Sequence, residues 1–320
     1  MTSKTTIAEP RIIASGLRFP EGPIAMPDGS VVLVEIERGT LSRVSPAGDA
    51  EVIAAPGGAP NGAAIGPDGR CYVCNNGGFA WAYEEGGPGM RPIGEAEDYS
   101  GGRIEAIDLT TGAIEVLYTE CDGHPLKGPN DIVFDKDGGF YFTDLGKVRA
   151  RDWDRTGLYY ARTDGSLIRE VAFPMITPNG IGLSPDEKTL YAAETMNGRL
   201  WAFDIAEPGI IDKRPYPSAN GGWLVGNSTG FRNFDSLAVE ANGNICVATL
   251  LEGGITVFAP DGSSIEFIPL PDPYYVTNIC FGGENLQTAY ITQSWLGNLV
   301  AVEWPRPGLA LNFLNKTAAS

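Results

Sequence analysis

Histidine is almost missing from this sequence: His124 is the only one among 320 residues. A serine hydrolase triad needs a histidine base beside a nucleophile held on a strand-to-helix turn. The one match to that turn, Gly226-Asn-Ser228-Thr-Gly230, lies in a glycine-rich loop with no helical segment behind it. That chemistry is set aside. Cysteine is scarce too, five residues in an odd, scattered set, which argues against a disulfide framework and fits a reducing, cytoplasmic compartment. Cys71 and Cys74 match C-x-x-C but sit in an apolar, strand-like run. Side chains three apart on a strand face opposite sides, so the pair is read as core rather than as a metal site.

Basic residues are few. Lysine and arginine number 23 against 40 acidic residues, a net charge of −17, and a nucleic-acid partner would need a cationic surface instead. No run is apolar enough to span a membrane, and no segment keeps the long 3.6-residue periodicity of a helical bundle. The opening MTSKTTIAEPRIIASG lacks an apolar signal core, so secretion is not expected. No glycine-rich phosphate loop precedes a helix, which leaves nucleotide chemistry without support. The expected partner is a small-molecule substrate, with neither nucleic acid nor membrane.

What the chain has in quantity is turn residues, 42 Gly and 24 Pro, and a repeat. LRFPEGPIAMPDGSVVLVE at residues 17–35 is followed by PNGAAIGPDGRCYVCNN from Pro60, PNDIVFDKDGGFYFTD from Pro129 and PNGIGLSPDEKTLYAAE from Pro178. Weaker copies, FDSLAVEANGNICVAT and TNICFGGENLQTAYIT, begin at Phe234 and Thr277. Each copy is a polar residue, a short strand-like run, a turn and a second strand-like run. The polar positions are Glu21, Asn61, Asn130, Asn179, Asp235 and Asn278, spaced by 40, 69, 49, 56 and 43 residues. Units of this length are the signature of propeller blades. The expectation is an all-β, six-bladed β-propeller with four-stranded blades over residues 1–320, its ring closed by N- and C-terminal strands sharing one blade. Tails of about residues 1–9 and 306–320 are expected outside it.

In a propeller the first strand of each blade lines the central channel, so the six polar positions should form a ring at one mouth. Asn and Asp often cap turns, and for any single copy that is the ordinary explanation. Six of six being carboxylate or carboxamide points to a shared ligand. The ring offers oxygen donors only, which suits a hard cation rather than zinc or copper. Glu21 and Asp235 together carry −2, matching a divalent ion. Ca2+ tolerates irregular oxygen shells best, with Mg2+, Mn2+ or, less readily, Zn2+ able to replace it in vitro.

The PEGP, PND and PNG openings with DG hairpins behind them resemble the gluconolactonase/regucalcin (senescence marker protein) family, from about Arg11 to Trp304. The resemblance implies a six-bladed propeller with one catalytic divalent metal in the channel. It places the family's metal ligands on Glu21, Asn130, Asn179 and Asp235, although the fifth copy reads Phe-Asp-Ser-Leu where the family often has Asp-Gly. Asn61 and Asn278 then lie beside the metal as substrate contacts, and Asp235 becomes the candidate general base for lactone opening.

Specificity is expected from three long mouth connections, residues 79–103, 144–156 and 206–233. They carry Phe79, Trp81, Tyr83 and Tyr99, then Arg151 and Trp153, then Trp223. Trp81, Trp153, His124 and Lys127 are the further substrate-binding candidates, though aromatics in such loops also commonly pack against the blades. Three functions follow: a Ca2+-dependent lactonase for a sugar or non-sugar lactone, a phosphotriesterase of the diisopropyl fluorophosphatase type, or a non-catalytic calcium-binding propeller. The first leads.

Overall fold

A computed structural model of the chain describes residues 7–316, apart from Gly86, Pro88, Thr229 and residues 272–274. It is a six-bladed propeller. Blade 1 runs outward from the channel as Pro20–Ala25, Val31–Glu35, Thr40–Val44 and Ala50–Ala54. Blade 2 is Pro60–Ile65, Cys71–Asn75, Arg103–Ile107 and Ile114–Tyr118. Blade 3 is Pro129–Phe134, Gly139–Asp144, Thr156–Arg162 and Ile168–Met175. Blade 4 is Pro178–Leu183, Thr189–Glu194 and Arg199–Glu207, with its outermost position divided between Ile210–Asp212 and Trp223–Asn227. Blade 5 is Phe234–Val239, Ile245–Thr249, Gly254–Phe258 and Ile265–Pro269.

Blade 6 closes the ring. Val276–Gly282, Thr288–Gln293 and Asn298–Glu303 come from the C-terminal part of the chain, and the N-terminal strand Arg11–Ala14 completes the sheet by pairing Arg11 with Ala301 and Ile12 with Val300. Among the described residues there is no α-helix, only a 3-10 turn at Ser294–Leu296. No helix there is long and apolar enough to cross a membrane.

The local chemistry explains the hairpins. Asp28 and Asp68 each turn a side-chain oxygen back onto the backbone N–H two residues on, at 2.9 and 3.1 Å, ahead of glycines at φ +85° and +78°. The runs that follow are rich in β-branched and aromatic residues and are buried on both faces, because each sheet is sandwiched between neighbours. The core is correspondingly divided by blade interface. Cys71 belongs to the apolar cluster between blades 1 and 2 and Cys74 to that between blades 2 and 3. The two cysteines face opposite sides of one strand, as the pattern required.

Three expectations about the connections are corrected. Residues 79–103 are no open loop: Phe79–Tyr83 and Met90–Glu95 pair as an inserted two-stranded sheet. Residues 206–233 carry the interrupted outer strand of blade 4, Ile210–Asp212 and Trp223–Asn227, where Trp223 pairs with Ala202, so only the last residues of the segment reach the mouth. The segment from Arg306, expected as a tail, is seated across the opposite end of the channel as far as Lys316. Arg306 Nε donates to Glu240 Oε2 at 2.6 Å, Leu309 N to Val239 O at 2.9 Å and Asn312 Nδ2 to Phe134 O at 3.1 Å.

Closure demands very close approach of the inner strands near the mouth. A Cβ on Gly62 would stand 2.4 Å from Asn130 O and 2.5 Å from Asp131 Cα; on Gly180 it would meet Asp235 O and Leu237 N at 2.7 Å. These neighbours are backbone and cannot rotate away. Gly62→Ala and Gly180→Ala are each expected to lose about 1–3 kcal/mol, the usual range for an overpacked interior, read as a lower denaturation midpoint. Unchanged midpoints for both would show that the ring can widen without strain.

Candidate active site

Every inner strand breaks register where its polar residue sits. The pairing shifts between Glu21 and Ile24, Pro60 and Ala63, Pro129 and Ile132, Pro178 and Ile181, Phe234 and Leu237, and Val276 and Asn278. A bulge bends the strand and re-aims one side chain. Repeated six times, it brings Glu21, Asn61, Asn130, Asn179, Asp235 and Asn278 to the same level of the channel. All are buried except Asp235, which keeps a partly exposed face.

The hydrogen bonds among them leave a specific set of oxygens free. Asn278 Nδ2 and Gly22 N both donate to Glu21 Oε2, each at 2.7 Å, and Asn278 Oδ1 is taken by Ile279 N at 2.7 Å. Glu21 Oε1 is buried without a donor, and so is Asn130 Oδ1. Asn179 Nδ2 donates to Thr195 Oγ1 at 3.1 Å, while its Oδ1 receives only a long 3.4 Å contact from Ser236. A buried acceptor without a partner costs about 1–3 kcal/mol. Two carboxylates and two amide oxygens fit a hard divalent cation, which would give Glu21 Oε1 and Asn130 Oδ1 the partner they lack. Among the described residues no three of His, Cys, Asp and Glu converge as a metal cluster; the fit depends on amide oxygens joining the acids.

The electrostatics agree with that fit. Burial pushes the carboxyl of Glu21 up, opposed by the hydrogen bonds from Asn278 and Gly22. Burial, then the charge of Glu21, pushes Asp235 well up. Asp131 is raised to about 7 by the same two causes, although Ile132 N and Ile181 N donate to it at 2.9 and 3.2 Å. Among the described residues no basic side chain offsets these three channel acids, and each is shifted toward its protonated form.

Other expected positions are less central. Trp81 lies in the inserted sheet, edge-on to Phe19 at 5.1 Å, two residues before Glu21. Lys127 is exposed at the mouth, its carbonyl accepting Tyr99 Oη at 2.7 Å. Trp153 is 53% exposed, bridged to Val148 in the blade 3 connection. His124 is exposed in a short pairing with Cys121, its nearby acid being Glu170 on the outermost strand of blade 3. It is not brought to the ring, and neither is Ser228, whose Oγ donates to Arg232 O at 3.2 Å.

Sequence reasoning missed Asp131, adjacent to Asn130, and a second set of acceptors at the ends of the second strands. Glu35 Oε2 accepts Arg18 N at 2.8 Å, Asn75 Oδ1 accepts Ala59 N at 3.0 Å, and Glu194 Oε1 accepts Ile176 N at 2.8 Å. Asp144 takes both Lys127 N and Gly128 N at 2.7 Å. Each clamps the chain two or three residues ahead of a ring residue. The signal was available: the second runs of four copies end LVE, VCN, FTD and AAE.

A family described as the SMP-30/gluconolactonase/LRE-like region matches residues 19–294. The chain belongs to this family. A gluconolactonase of Zymomonas mobilis is 26% identical, over 88% of this chain and 78% of its own length. Lactonase drp35 of Staphylococcus saprophyticus is 30% identical, over 83% and 75%. Among solved structures, the calcium-binding protein regucalcin from Agrobacterium tumefaciens superposes with a TM-score of 0.72 at 19% identity, covering 97% of this chain and all of that one. A gluconolactonase from Xanthomonas campestris gives 0.71 at 21%, covering 94% and 91%. These structural likenesses bear out the SMP-30/gluconolactonase fold, with its blades arranged as the repeat predicted.

The raised acids set a pH dependence. A carboxyl raised on folding holds its proton more tightly in the native state, so stability falls as pH rises above the unfolded value near 4 and through the folded one. With chelator present, the melting temperature should decline from about pH 5 to past 7, the value to which Asp131 is raised; a divalent cation should restore more stability at pH 8 than at pH 5. A metal-free profile that rises across that window would show that these acids are not held protonated.

Proposed function

We propose that this protein opens a small lactone to its hydroxy acid, using a Ca2+ held by Glu21, Asn130, Asn179 and Asp235. The observation that carries the reading is the pair of buried, donorless oxygens, Glu21 Oε1 and Asn130 Oδ1, at the channel mouth of a chain in this family. Relatives named gluconolactonase and lactonase support lactone opening, and the neighbour named as a calcium-binding protein supports the choice of ion. Mg2+ and Mn2+ would occupy the same oxygens less well, and the absence of His and Cys from the ring disfavours Zn2+. When bound, such an ion polarises a carbonyl oxygen and acidifies water.

The chain's own residues supply the rest. Asn278 fixes Glu21 through Oε2 and keeps Oε1 turned to the centre. Asn179 is anchored by Thr195 and lends a hydrogen bond to Asp235. Asp235 is the ring acid with a partly exposed face, where an attacking water can meet its carboxylate as general base. It takes a proton from the attacking water, whose oxygen bonds to the lactone carbonyl carbon. The ring C–O bond then breaks and the proton passes to the departing alkoxide, giving the hydroxy acid.

The test is acid release from a panel of sugar and non-sugar lactones with Ca2+, then with excess chelator. Activity that vanishes with chelator and returns with Ca2+ supports the reading; no activity on any lactone despite tight Ca2+ binding sinks it. At saturating Ca2+, Asp235→Asn should lower kcat by about a hundredfold or more, whereas Glu21→Gln should abolish Ca2+ binding in calorimetry. A fully active Asp235→Asn would remove Asp235 as the base.

A further inference from the structure

Among the described residues Lys147 is the only lysine or arginine in the fully buried set, 2% exposed. It follows the second strand of blade 3, at the mouth. Its Nζ donates to Gly78 O at 2.8 Å and to Asn76 Oδ1, and lies 4.7 Å from the ring centre of Phe79 and 4.5 Å from that of Tyr99. Asn76, Gly78 and Phe79 lead into the inserted sheet of blade 2, and Tyr99 lies on the chain returning from it. One buried cation therefore grips both ends of the insertion. Burial draws the amine down to about 8 against the pull of Glu95, Asp144 and Asp154.

The insertion reaches across the mouth. Met90 is buried in the apolar cluster with Phe19 and Trp81, and Tyr83 Oη donates to Glu37 Oε1 at 2.7 Å on the blade 1 side. Met90–Glu95 lies beside Ser294–Leu296 of blade 6. There Trp295 stacks on Tyr275 at 5.3 Å, and Tyr275 senses the charge of Asp235. The insertion thus runs from blade 2 over blade 1 to blade 6, walling the mouth on the Glu21 side.

Burying an ammonium group is costly unless its donors are satisfied. A methionine would fill the same length without that cost, but it would leave Asn76 Oδ1 and Gly78 O unpaired and would not gather two rings. What the lysine contributes is a single permitted arrangement of these groups. Of the further ties between the insertion and blade 3, Arg149 to Glu95 at 3.2 Å is solvent-facing and weak, while Tyr99 Oη donates to Lys127 O at 2.7 Å.

We propose that Lys147 is a positioning residue that locks the blade 2 insertion in place as the wall of the substrate pocket, a role that rests on the lactone-opening reading of that pocket. It acts on substrate binding rather than on the cation. The chain leading to Asn130 is held chiefly by Asp144, on Lys127 N and Gly128 N at 2.7 Å each, with Asn76 Nδ2 adding a longer 3.3 Å bond to Gly128 O.

The experiment compares wild type, Lys147→Met and Phe79→Leu in three readouts: steady-state kinetics, Ca2+ calorimetry and hydrogen exchange. For Lys147→Met, KM on the best lactone should rise about tenfold while kcat stays within about threefold, the pattern of lost uniform binding. The Ca2+ Kd should stay near that of wild type, and exchange should quicken in Phe79–Tyr83 and Met90–Glu95 but not in the strands of blade 3. Phe79→Leu, which removes one ring from the cation and keeps the lysine, should move KM and exchange the same way by less, and it serves if Lys147→Met does not fold. Unchanged KM and exchange in a folded but less heat-stable variant would make Lys147 a packing residue and overturn the proposal. Weakened Ca2+ binding with collapsed kcat would also overturn it, moving its action to Asn130. Exchange and calorimetry need no turnover, so a wild type that opens no lactone would refute the functional reading while these two readouts still decide the pin.

Discussion

Closing six sheets around one channel forces the inner strands to touch backbone to backbone at the mouth. Gly22, Gly62 and Gly180 are the residues that allow it, each standing where a Cβ would strike the neighbouring strand within 3 Å. The bulge that accommodates this approach is also what turns a side chain into the channel. Fold and site are therefore one constraint seen twice. A residue at the bulge must point at its five counterparts, and whatever chemistry the ring has is imposed by which six residues stand there.

The chosen six keep the charge in balance. Two carboxylates among four carboxamides offer an oxygen-rich centre whose formal charge a single divalent ion cancels. Replacing the amides by acids would add repulsion in a channel whose far end is covered by the segment from Arg306 to Lys316 and whose walls are apolar, where like charges interact strongly. Asp131 shows how far that limit can be approached. It is a third acid near Glu21 and Asp235, and it is sustained by donors from Ile132, Ile181 and Ser236. A cation at the ring would reverse the sign of its surroundings, from a site that favours the proton to one that favours the carboxylate.

The periodic part of this design was legible in the sequence. Repeat spacing, the polar residue before each first run and the Asp-Gly turns identified blades, ring and closure, because each is a local pattern copied several times. What could not be read were features present once. The split outer strand of blade 4, the seating of Arg306–Lys316 and the paired strands at Phe79–Glu95 have no second copy to expose them, and each depends on partners distant in sequence. His124 was drawn toward the site by nearness in sequence to Asn130, yet its short pairing with Cys121 carries it outward toward Glu170. The acceptors Glu35, Asn75, Asp144 and Glu194 were repeated and readable, but their position at the end of a strand resembles ordinary strand punctuation until the backbone they clamp is seen.

That division has a mechanical basis. A ring residue cannot be moved without shifting both neighbouring blades, so the channel tolerates little variation in geometry. A connection between the second and third strands of one blade touches the ring only at its ends and is free to grow. In blade 2 it has grown into a sheet that leans across blade 1 and brings Trp81 and Met90 against the residues around Glu21. Such an addition changes what the mouth can hold without disturbing the oxygens beneath it, provided its base is fixed as firmly as the ring itself. The buried ammonium of Lys147, satisfied only when the two ends of the insertion and the blade 3 connection meet in one arrangement, is the element of the structure that meets this condition.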